Sequence, residues 1–508
     1  MNTRRIHEIF DRRLERSPDR PVLVLADRSI SFAELGALVD RAVKEMQDDG
    51  VLAGDRVLIV AENCPEHVAL VIACSRIGAW SCGVNARMAP AEIAGFANKA
   101  DPRVIYFTTA VSVEAGEHAE RFAARPSAVA GLQRSPVRSE AVAEVGLDAP
   151  RIAAIIFTSG TTGMPKGVLV THQGLLHFAR LSAQSRRLSE DDRVYACLPM
   201  THVFGLATIL LAALYAGAGL VMRSRFSPAD VLDALANHGV SNLMGPPMLF
   251  QRLLGYIEFL GIARPECRCL RYLYTGAGPL DSGLKEAVEE RFGQTLHHGY
   301  GLSEYAGSLC ITSIDAPRDD TSAGQVIEGA EAQIVDPQGQ RLPAGVRGEI
   351  WIRGIGLMPG YFRDPEATRQ VMKPGGWYAS GDLGYLAADG ALFVVGRLKE
   401  MIIRSGFNVY PAEVEAVLNA FPSIHHSAVV GRREADGNEE ILAFVEPKPG
   451  MYVDEATLNE FVHERLAPYK RPSRVIRVEA WPMTNSGKIL KRELLNLISP
   501  EGTPRSSS

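Results

Sequence analysis

The chain is poor in features that would commit it to a special environment. Its seven cysteines are odd in number and scattered through apolar surroundings, and Cys267 and Cys269 form a C-x-C pair with no second pair at zinc spacing. That argues against a disulfide scaffold and a structural zinc site, so buried thiols in a reducing compartment are expected. Excess charge of one sign is also missing. The formal net charge of −5 gives no global electrostatic case for binding nucleic acid or an acidic membrane surface. The first twenty residues, MNTRRIHEIFDRRLERSPDR, lack the apolar centre of a signal peptide and read as an amphipathic helix. Residues 203–222 make one apolar run of transmembrane length, but Gly217, Ala218 and Gly219 break it. A buried helix, a turn and a strand are predicted there instead of a membrane span. No internal repeat is present, and a cytoplasmic location is expected.

What is there describes a large globular protein. A chain of 508 residues with 46% hydrophobic and 22% charged content exceeds one compact core, so two or more domains are expected. Helical spacing runs through residues 31–50 and 67–78. Short apolar strands are predicted at 56–61 (RVLIVA), 79–84, 104–108, 152–157, 193–198, 219–223, 241–244 and 272–275. Apolar strands alternating with helices imply parallel sheets covered on both faces. Residues 112–149, rich in Ala, Ser and Glu, read as a surface excursion. After Gly324 short alternating strands at 332–336, 348–353 and 391–395 suggest a small β-subdomain. Beyond residues 397–399 lie a hairpin at 401–409, a helix at 411–420, strands at 428–431 and 441–446, and a helix at 454–466. The expected fold is α/β: a large N-terminal domain (1–396) with two parallel-sheet subdomains and a small β-subdomain, then a small α+β C-terminal domain (401–508).

Five elements could carry chemistry. The first is T-S-G-T-T-G-M-P-K, from Thr158 to Lys166, directly after the apolar run 152–157. Gly160 and Gly163 permit close backbone approach, Thr158, Ser159, Thr161 and Thr162 bring hydroxyls, and Lys166 adds a point charge. It suits phosphates, yet it is not G-x-x-x-x-G-K-[ST], because Met164 and Pro165 separate Gly163 from the lysine and Gly167 follows it. The second is Tyr300-Gly301-Leu302-Ser303-Glu304: glycine lets a ligand lie against the backbone, Tyr300 offers a stacking face, and Glu304 an oxygen for Mg²⁺. The third, Tyr378-Ala379-Ser380-Gly381-Asp382, puts a carboxylate after a tight turn, where it could accept from a ribose diol. The fourth, Gly396-Arg397-Leu398-Lys399-Glu400, lies at the inferred domain boundary, and the fifth, Thr484-Asn485-Ser486-Gly487-Lys488, near the end. Singly, each reads as readily as a surface turn or a solvated charge.

In order and spacing they resemble the adenylate-forming superfamily of acyl- and aryl-coenzyme A synthetases, peptide-synthetase adenylation domains and firefly luciferase. The resemblance runs from about residue 31 to 494 and includes a sixth motif, S-G-x-x-[VI]-x-P-x-E-[VI]-E, at residues 405–415. It implies that a carboxylate attacks the α-phosphate of Mg·ATP to give an acyl-adenylate and pyrophosphate. Thr158, Ser159, Gly160, Thr161, Thr162, Gly163 and Lys166 would then hold the β- and γ-phosphates, with Ser303 near the α-phosphate and Glu304 on the metal. Asp382 would bind the ribose hydroxyls with help from Arg397, and Gly276, Ala277, Gly278, His298 and Gly299 would flank adenine, beside Tyr300 and Gly301. Lys488 would bridge the attacking carboxylate and the α-phosphate oxygens, where charge develops. The resemblance further implies a mobile C-terminal domain that pivots at Lys399, within a hinge at 397–400. That rotation would withdraw Lys488 and bring Gly406 to line the channel for the coenzyme A thiol. Lys470 and Arg471 would contact the coenzyme A phosphates. Glu400, where many members carry aspartate, and Gly324-Gln325-Val326, where G-x-x-G-x-P is usual, are departures remote from this chemistry.

The resemblance places the acid beside His202, in Thr201-His202-Val203-Phe204-Gly205, as a gate or lining residue. Amino-acid-activating members carry an aspartate directly after that phenylalanine; this chain has Gly205. An uncharged hydrophobic acid is therefore expected, aromatic or of medium aliphatic length. The expected activity is a carboxylate–coenzyme A ligase using ATP, Mg²⁺ and coenzyme A, with a homodimer left open. Two other readings stand beside it: a stand-alone adenylating enzyme that loads a carrier protein or oxidises the adenylate, and a non-catalytic binding protein on the same fold.

Overall fold

Four parallel strands in the order Val104–Phe107, Arg56–Ala61, Trp80–Asn85 and Ile152–Thr158 form the middle of a seven-stranded sheet in this computed structural model. The structure describes residues 4–158, 166–404, 407–433, 438–483 and 489–498. Antiparallel strands finish both edges: Lys166–Thr171 on one side, Gln133–Arg134 and Arg125–Pro126 on the other. An eight-stranded sheet follows the same plan. Its centre is parallel, in the order Leu296–Leu302, Tyr272–Thr275, Asn242–Gly245, Arg193–Ala196, Gly219–Met222 and Pro21–Val24. Antiparallel Gly307–Ile311 and Ser29–Ser31 close its edges. The expected parallel sheets are thus parallel at their cores and mixed at their rims.

Helices pack between these sheets in one shared apolar core. Phe32–Asp48 starts at Ser31, whose hydroxyl accepts from the Glu34 amide while the Glu34 carboxylate takes the Ser31 amide, so both ends of the first turn are satisfied. It buries Leu35, Val39 and Met46. Pro65–Ile77, apolar almost all round, is buried on nearly every side. Asn63 ties the two sheets together: its amide nitrogen reaches the Leu198 carbonyl at 2.9 Å and its carbonyl accepts from the Met200 amide at 3.0 Å.

The segment of transmembrane length resolves as expected into buried helix, turn and strand, and among the described residues no helix is long and apolar enough to cross a membrane. Its helix is unusual. Phe204–Leu211 is a π-helix that passes into the α-helix Ala212–Ala216, which stops at Gly217 with φ +79° before the strand Gly219–Met222. The N-terminal residues form the helix His7–Arg16, burying Ile9 and Phe10. The expected surface excursion at 112–149 is more ordered than its composition suggests. Helix Val113–Arg121 buries Ala115, His118 and Ala119, and the two short strands at 125–126 and 133–134 extend the sheet. Val113 and the strand Arg125–Pro126 are nonetheless exposed, and its later part, with Val142, Val145 and Leu147 exposed, runs over the surface.

The small β-subdomain is a five-stranded sheet of Ala330–Val335, Gly348–Gly354, Trp377–Leu386 and Met372–Lys373, with Leu392–Arg397 paired to Trp377–Leu386. A 3-10 turn, Leu398–Glu400, leads into the C-terminal unit. There a hairpin of Ile402–Arg404 and Phe407–Val409 precedes a sheet of Ile424–Arg433, Glu439–Pro447 and Arg474–Arg477, with helices Pro411–Asn419 and Glu455–Arg465 and cores of its own. Charges join the parts. Arg347 of the β-subdomain pairs with Glu413 and lies over the Tyr410 ring at 5.2 Å, and Lys491 pairs with Glu415 at 2.6 Å and Glu400 at 3.7 Å.

Candidate active site

Thr158 and Lys166 oppose each other at the end of the antiparallel pair, so the strands bring both ends of the glycine-rich loop to one point. Ser159, Gly160, Thr161, Thr162 and Gly163 lie outside the described residues. Lys166 Nζ stands 4.8 Å over the ring of Tyr361. That tyrosine is pinned to the loop's second strand. The Phe362 amide donates to the Gly167 carbonyl at 2.7 Å, the Leu169 amide to the Gly360 carbonyl at 3.2 Å, and Tyr361 bridges Val168.

Tyr361 joins the first element to the second. Its hydroxyl donates to Glu304 Oε1 at 3.0 Å and lies 3.3 Å from the hydroxyl of Tyr378. Burial, reinforced by the Glu304 charge, raises the pKa of both tyrosines, so they remain protonated donors. Ser303 and Glu304 sit on the turn Ser303–Tyr305, whose Glu304 carbonyl accepts from the Met358 amide at 2.8 Å. Lys166, Tyr361 and Glu304 therefore form one contiguous group drawn from three distant stretches of chain.

The third element meets the second and fourth. Asp382 and Arg397 are register partners on Trp377–Leu386 and Leu392–Arg397, with Arg397 Nε 3.1 Å from Asp382 Oδ1. Tyr300 donates its hydroxyl to Asp382 Oδ2 at 2.6 Å. The residue is nearly buried, at 8% exposure. Its backbone is fixed by Gly381, at φ +70°, a conformation glycine adopts without strain. The Gly381 amide donates to Glu349 Oε1 at 3.0 Å and the Asp382 amide to Ser380 Oγ at 3.0 Å. Burial alone lowers the Arg397 pKa, but Asp382, then Glu400 and Tyr300, outweigh it and raise it. Lys399, beside it, is shifted down by burial and by the Arg397 charge, with Lys166 among the cations it feels. The boundary turn thus lies within electrostatic reach of the glycine-rich loop.

Gly276, Ala277 and Gly278 form the turn after Tyr272–Thr275, with Ala277 at φ +64°. His298 closes on it from the next strand, Nε2 lying 3.4 Å from the Gly278 carbonyl and Nδ1 3.0 Å from that of Thr321. Burial lowers its pKa, with the carbonyls opposing. The neighbouring glycines are glycine for the protein's own packing. A Cβ on Gly299 would lie 2.2 Å from the Tyr274 hydroxyl, and one on Gly301 2.4 Å from the Gly307 carbonyl. At Gly301 the partner strand fills the position a Cβ would take.

His202 caps the approach to the π-helix, partly exposed, its carbonyl accepting from the Leu206 amide at 2.9 Å. Phe204 meets Tyr274 edge-on, with centroids 5.9 Å apart. At Gly205 a Cβ would lie 2.2 Å from the Pro199 carbonyl oxygen, so the backbone itself excludes an acidic side chain.

The C-terminal candidates stand differently. Lys470 pairs with Glu413 at 2.6 Å, and Arg471 donates to the Leu466 carbonyl at 2.9 Å, at the end of helix Glu455–Arg465. Both cations are engaged by the chain. Gly406 and Lys488 lie outside the described residues; Met483 and Ile489, described on either side of 484–488, pair as a bridge. Among the described residues no three His, Cys, Asp or Glu side chains gather as a metal site. Glu304 alone still fits Mg²⁺, which is commonly held by one carboxylate plus phosphate and water oxygens.

Sequence reading singled out neither Tyr361 nor Lys491, and it named Tyr378 and took in Glu413 only as members of their motifs. Tyr361 carries the one usable signal, a tyrosine directly after a Pro-Gly turn, but nothing in that tripeptide points 57 residues upstream to Glu304.

A family model described as AMP-binding enzyme matches residues 10–362, and one described as AMP-binding enzyme C-terminal domain matches 413–488. The chain is 33% identical to 4-coumarate–CoA ligase 5 of Oryza sativa subsp. japonica, over 96% of this chain and 94% of that one. It is 32% identical to feruloyl-CoA synthase of an Amycolatopsis species, over 95% and 97%. Among solved structures, o-succinylbenzoate coenzyme A synthetase of Bacillus subtilis, in complex with ATP and magnesium ion, superposes with a TM-score of 0.81 at 28% identity, covering 96% of this chain and 99% of that one.

Proposed function

This chain belongs to the AMP-binding enzyme family and is an AMP-forming acid–thiol ligase, and from that premise we propose that its acid is an uncharged aryl carboxylic acid. The observation that carries the choice is the wall made by Phe204 and Tyr274, edge to face, beside Gly205, where the Pro199 carbonyl leaves no room for an acidic side chain. Such a wall packs a ring edge to face, and with glycine at 205 no carboxylate stands there to pair with an ammonium group. The aryl acids in the names of 4-coumarate–CoA ligase and feruloyl-CoA synthase point the same way.

The described groups divide the work. Lys166, held over Tyr361, would grip the phosphates of ATP that leave as pyrophosphate. Asp382, oriented by Arg397 and Tyr300, would accept from the ribose hydroxyls, and the Gly276–Gly278 turn with His298 would border adenine. Glu304, steadied by the Tyr361 hydroxyl, would hold Mg²⁺, which when bound neutralises phosphate charge. The acid's carboxylate attacks the α-phosphorus and pyrophosphate departs; Lys488 would stabilise charge on the carboxylate and α-phosphate oxygens. The thiol of coenzyme A then attacks the acyl carbon and AMP leaves. Moving from one step to the other would pivot the unit after residue 400 at Lys399 and bring Gly406 to the thiol. This rotation must part Arg347 from Glu413, the pair that spans the two units.

The test is acid-dependent AMP formation over a panel of aryl, aliphatic and amino acids, with and without coenzyme A. Highest kcat/KM with an aryl acid, and thioester formed only with coenzyme A, is expected. Preference for an aliphatic or amino acid would overturn the choice, and acyl transfer to a carrier protein but not to coenzyme A would overturn the acceptor.

A further inference from the structure

Lys491 follows Lys488 by three residues and opens the short helix Lys491–Leu494, whose Leu494 is fully buried. The chain is tied down on both sides of residues 484–488. The Leu490 amide donates to the Pro482 carbonyl at 2.7 Å, Met483 and Ile489 pair as a bridge, and the Trp481 indole donates to Glu446 Oε2 at 2.6 Å. The two stems of that loop therefore form one fixed base, and Lys491 extends its side chain from the end of it.

Its ammonium meets two carboxylates from different elements. Glu415, on helix Pro411–Asn419, lies 2.6 Å away, and the same oxygen, Oε1, accepts from the Val429 amide at 2.7 Å, which fixes it against the strand Ile424–Arg433. Glu400, the last residue of the turn Leu398–Glu400, lies 3.7 Å away. Through that turn the contact reaches the nucleotide side, since Arg397 pairs with Asp382 and its carbonyl accepts from the Met401 amide at 3.1 Å. Burial opposes the charge on Lys491, but Glu415 and Glu400 outweigh it and raise its pKa, so it stays an ammonium. Without that cation, two carboxylates gathered round one point would repel each other.

We propose that Lys491 is a positioning residue for adenylation: by holding Glu400 and Glu415 at once, it fixes the base of the loop that carries Lys488 against the boundary turn that holds Lys399. This rests on the reading of Lys488 as the residue that stabilises charge on the carboxylate and α-phosphate oxygens. Lys491 touches no substrate and acts through the geometry of that base. A displacement of about 1 Å at a reacting group can cost on the order of a hundredfold in rate. Thioester formation, in which the reading gives Lys488 no part, does not depend on the brace. Glu400 serves it from the other side, and its pair already stands at 3.7 Å, with no slack to spare.

The experiment measures two half-reactions separately: pyrophosphate release from ATP and acid, and thioester formation from supplied acyl-adenylate. It compares wild type, Lys491→Met, Lys491→Arg, Glu400→Gln and Lys488→Ala, with thermal unfolding of each. Expected in Lys491→Met is a fall of roughly 10–100-fold in kcat for pyrophosphate release, with KM for ATP and the thioester rate within about twofold of wild type. Lys491→Arg, which keeps the charge, is expected to restore most of the rate, and Glu400→Gln to lose several-fold in the same step alone. Should Lys491→Met fail to fold, Glu400→Gln, at a partly exposed position, carries the comparison. An equal fall in both half-reactions, an unchanged rate of pyrophosphate release, or no recovery in Lys491→Arg overturns the proposal. Failure of the underlying reading looks different: Lys488→Ala then releases pyrophosphate normally or loses both half-reactions equally, and the proposal falls with it.

Discussion

Asp382 and Arg397 sit directly across from each other on adjacent antiparallel strands, joined at 3.1 Å, while Tyr300 holds the other carboxylate oxygen at 2.6 Å. Sheet register thus delivers a pre-oriented carboxylate, with one partner from the 3-10 boundary side and one from the large domain. A group held on both sides loses little freedom on binding a diol.

Asp382→Asn keeps the shape and removes the charge. A hydrogen bond to a charged group contributes about 1.5–3 kcal/mol, so KM for ATP is expected to rise roughly 10–100-fold while KM for the acid changes little. Initial-rate kinetics with each substrate varied in turn check this; an equal rise in both would remove Asp382 from the nucleotide.

Tyr361→Phe leaves the ring under Lys166 and deletes the hydroxyl that steadies Glu304. The variant is expected to need several-fold more Mg²⁺ for half-maximal pyrophosphate release, the equivalent of about 1 kcal/mol. Titrating Mg²⁺ at saturating ATP measures it. Tyr361→Leu, which also removes the ring, is expected to raise KM for ATP as well.

The two half-reactions separate the two C-terminal residues. Lys488→Ala is expected to abolish pyrophosphate release from ATP and acid while sparing thioester formation from supplied acyl-adenylate. Gly406→Trp is expected to do the reverse. Equal loss of both half-reactions in either variant would remove that residue from its assigned step.

Acid lability follows from three buried histidines. Burial holds His67 and His297 at about 4 and His172 at about 3, below the usual 6.5. The folded state keeps these rings neutral, while the unfolded chain protonates them below 6.5. Stability is therefore fully present above pH 6.5 and is lost as pH falls toward 4, by on the order of 3 kcal/mol for each fully coupled group. Thermal unfolding between pH 7.5 and 4.5 reads the slope. His67→Leu, which replaces the fully buried ring, is expected to flatten it; an unchanged slope would show that His67 does not drive it.

Local patterns made much of the fold legible. The run RVLIVA became Arg56–Ala61 and YLYT became Tyr272–Thr275, because an unbroken apolar stretch of that length fits a strand covered on both faces. Residues 112–149 were harder, since the strands at 125–126 and 133–134 are only two residues long and owe their form to the neighbouring sheet. Among site residues, the glycine loop, Glu304 and Asp382 were visible because each sits in a dense motif. Tyr361 was not, and the partners of Glu413, which does sit in a motif, were not either, since each pairs with residues more than fifty positions away.

By itself the sequence determined the order of elements, the family and the residue types that the chemistry requires, all of which depend on neighbours along the chain. Only the tertiary structure decided that Tyr361 links Lys166 to Glu304, that Tyr274 fills the space spared by Gly299, and that Glu413 is shared between Arg347 and Lys470. Such partnerships depend on strand order, register and packing across the core, which no local stretch of sequence encodes.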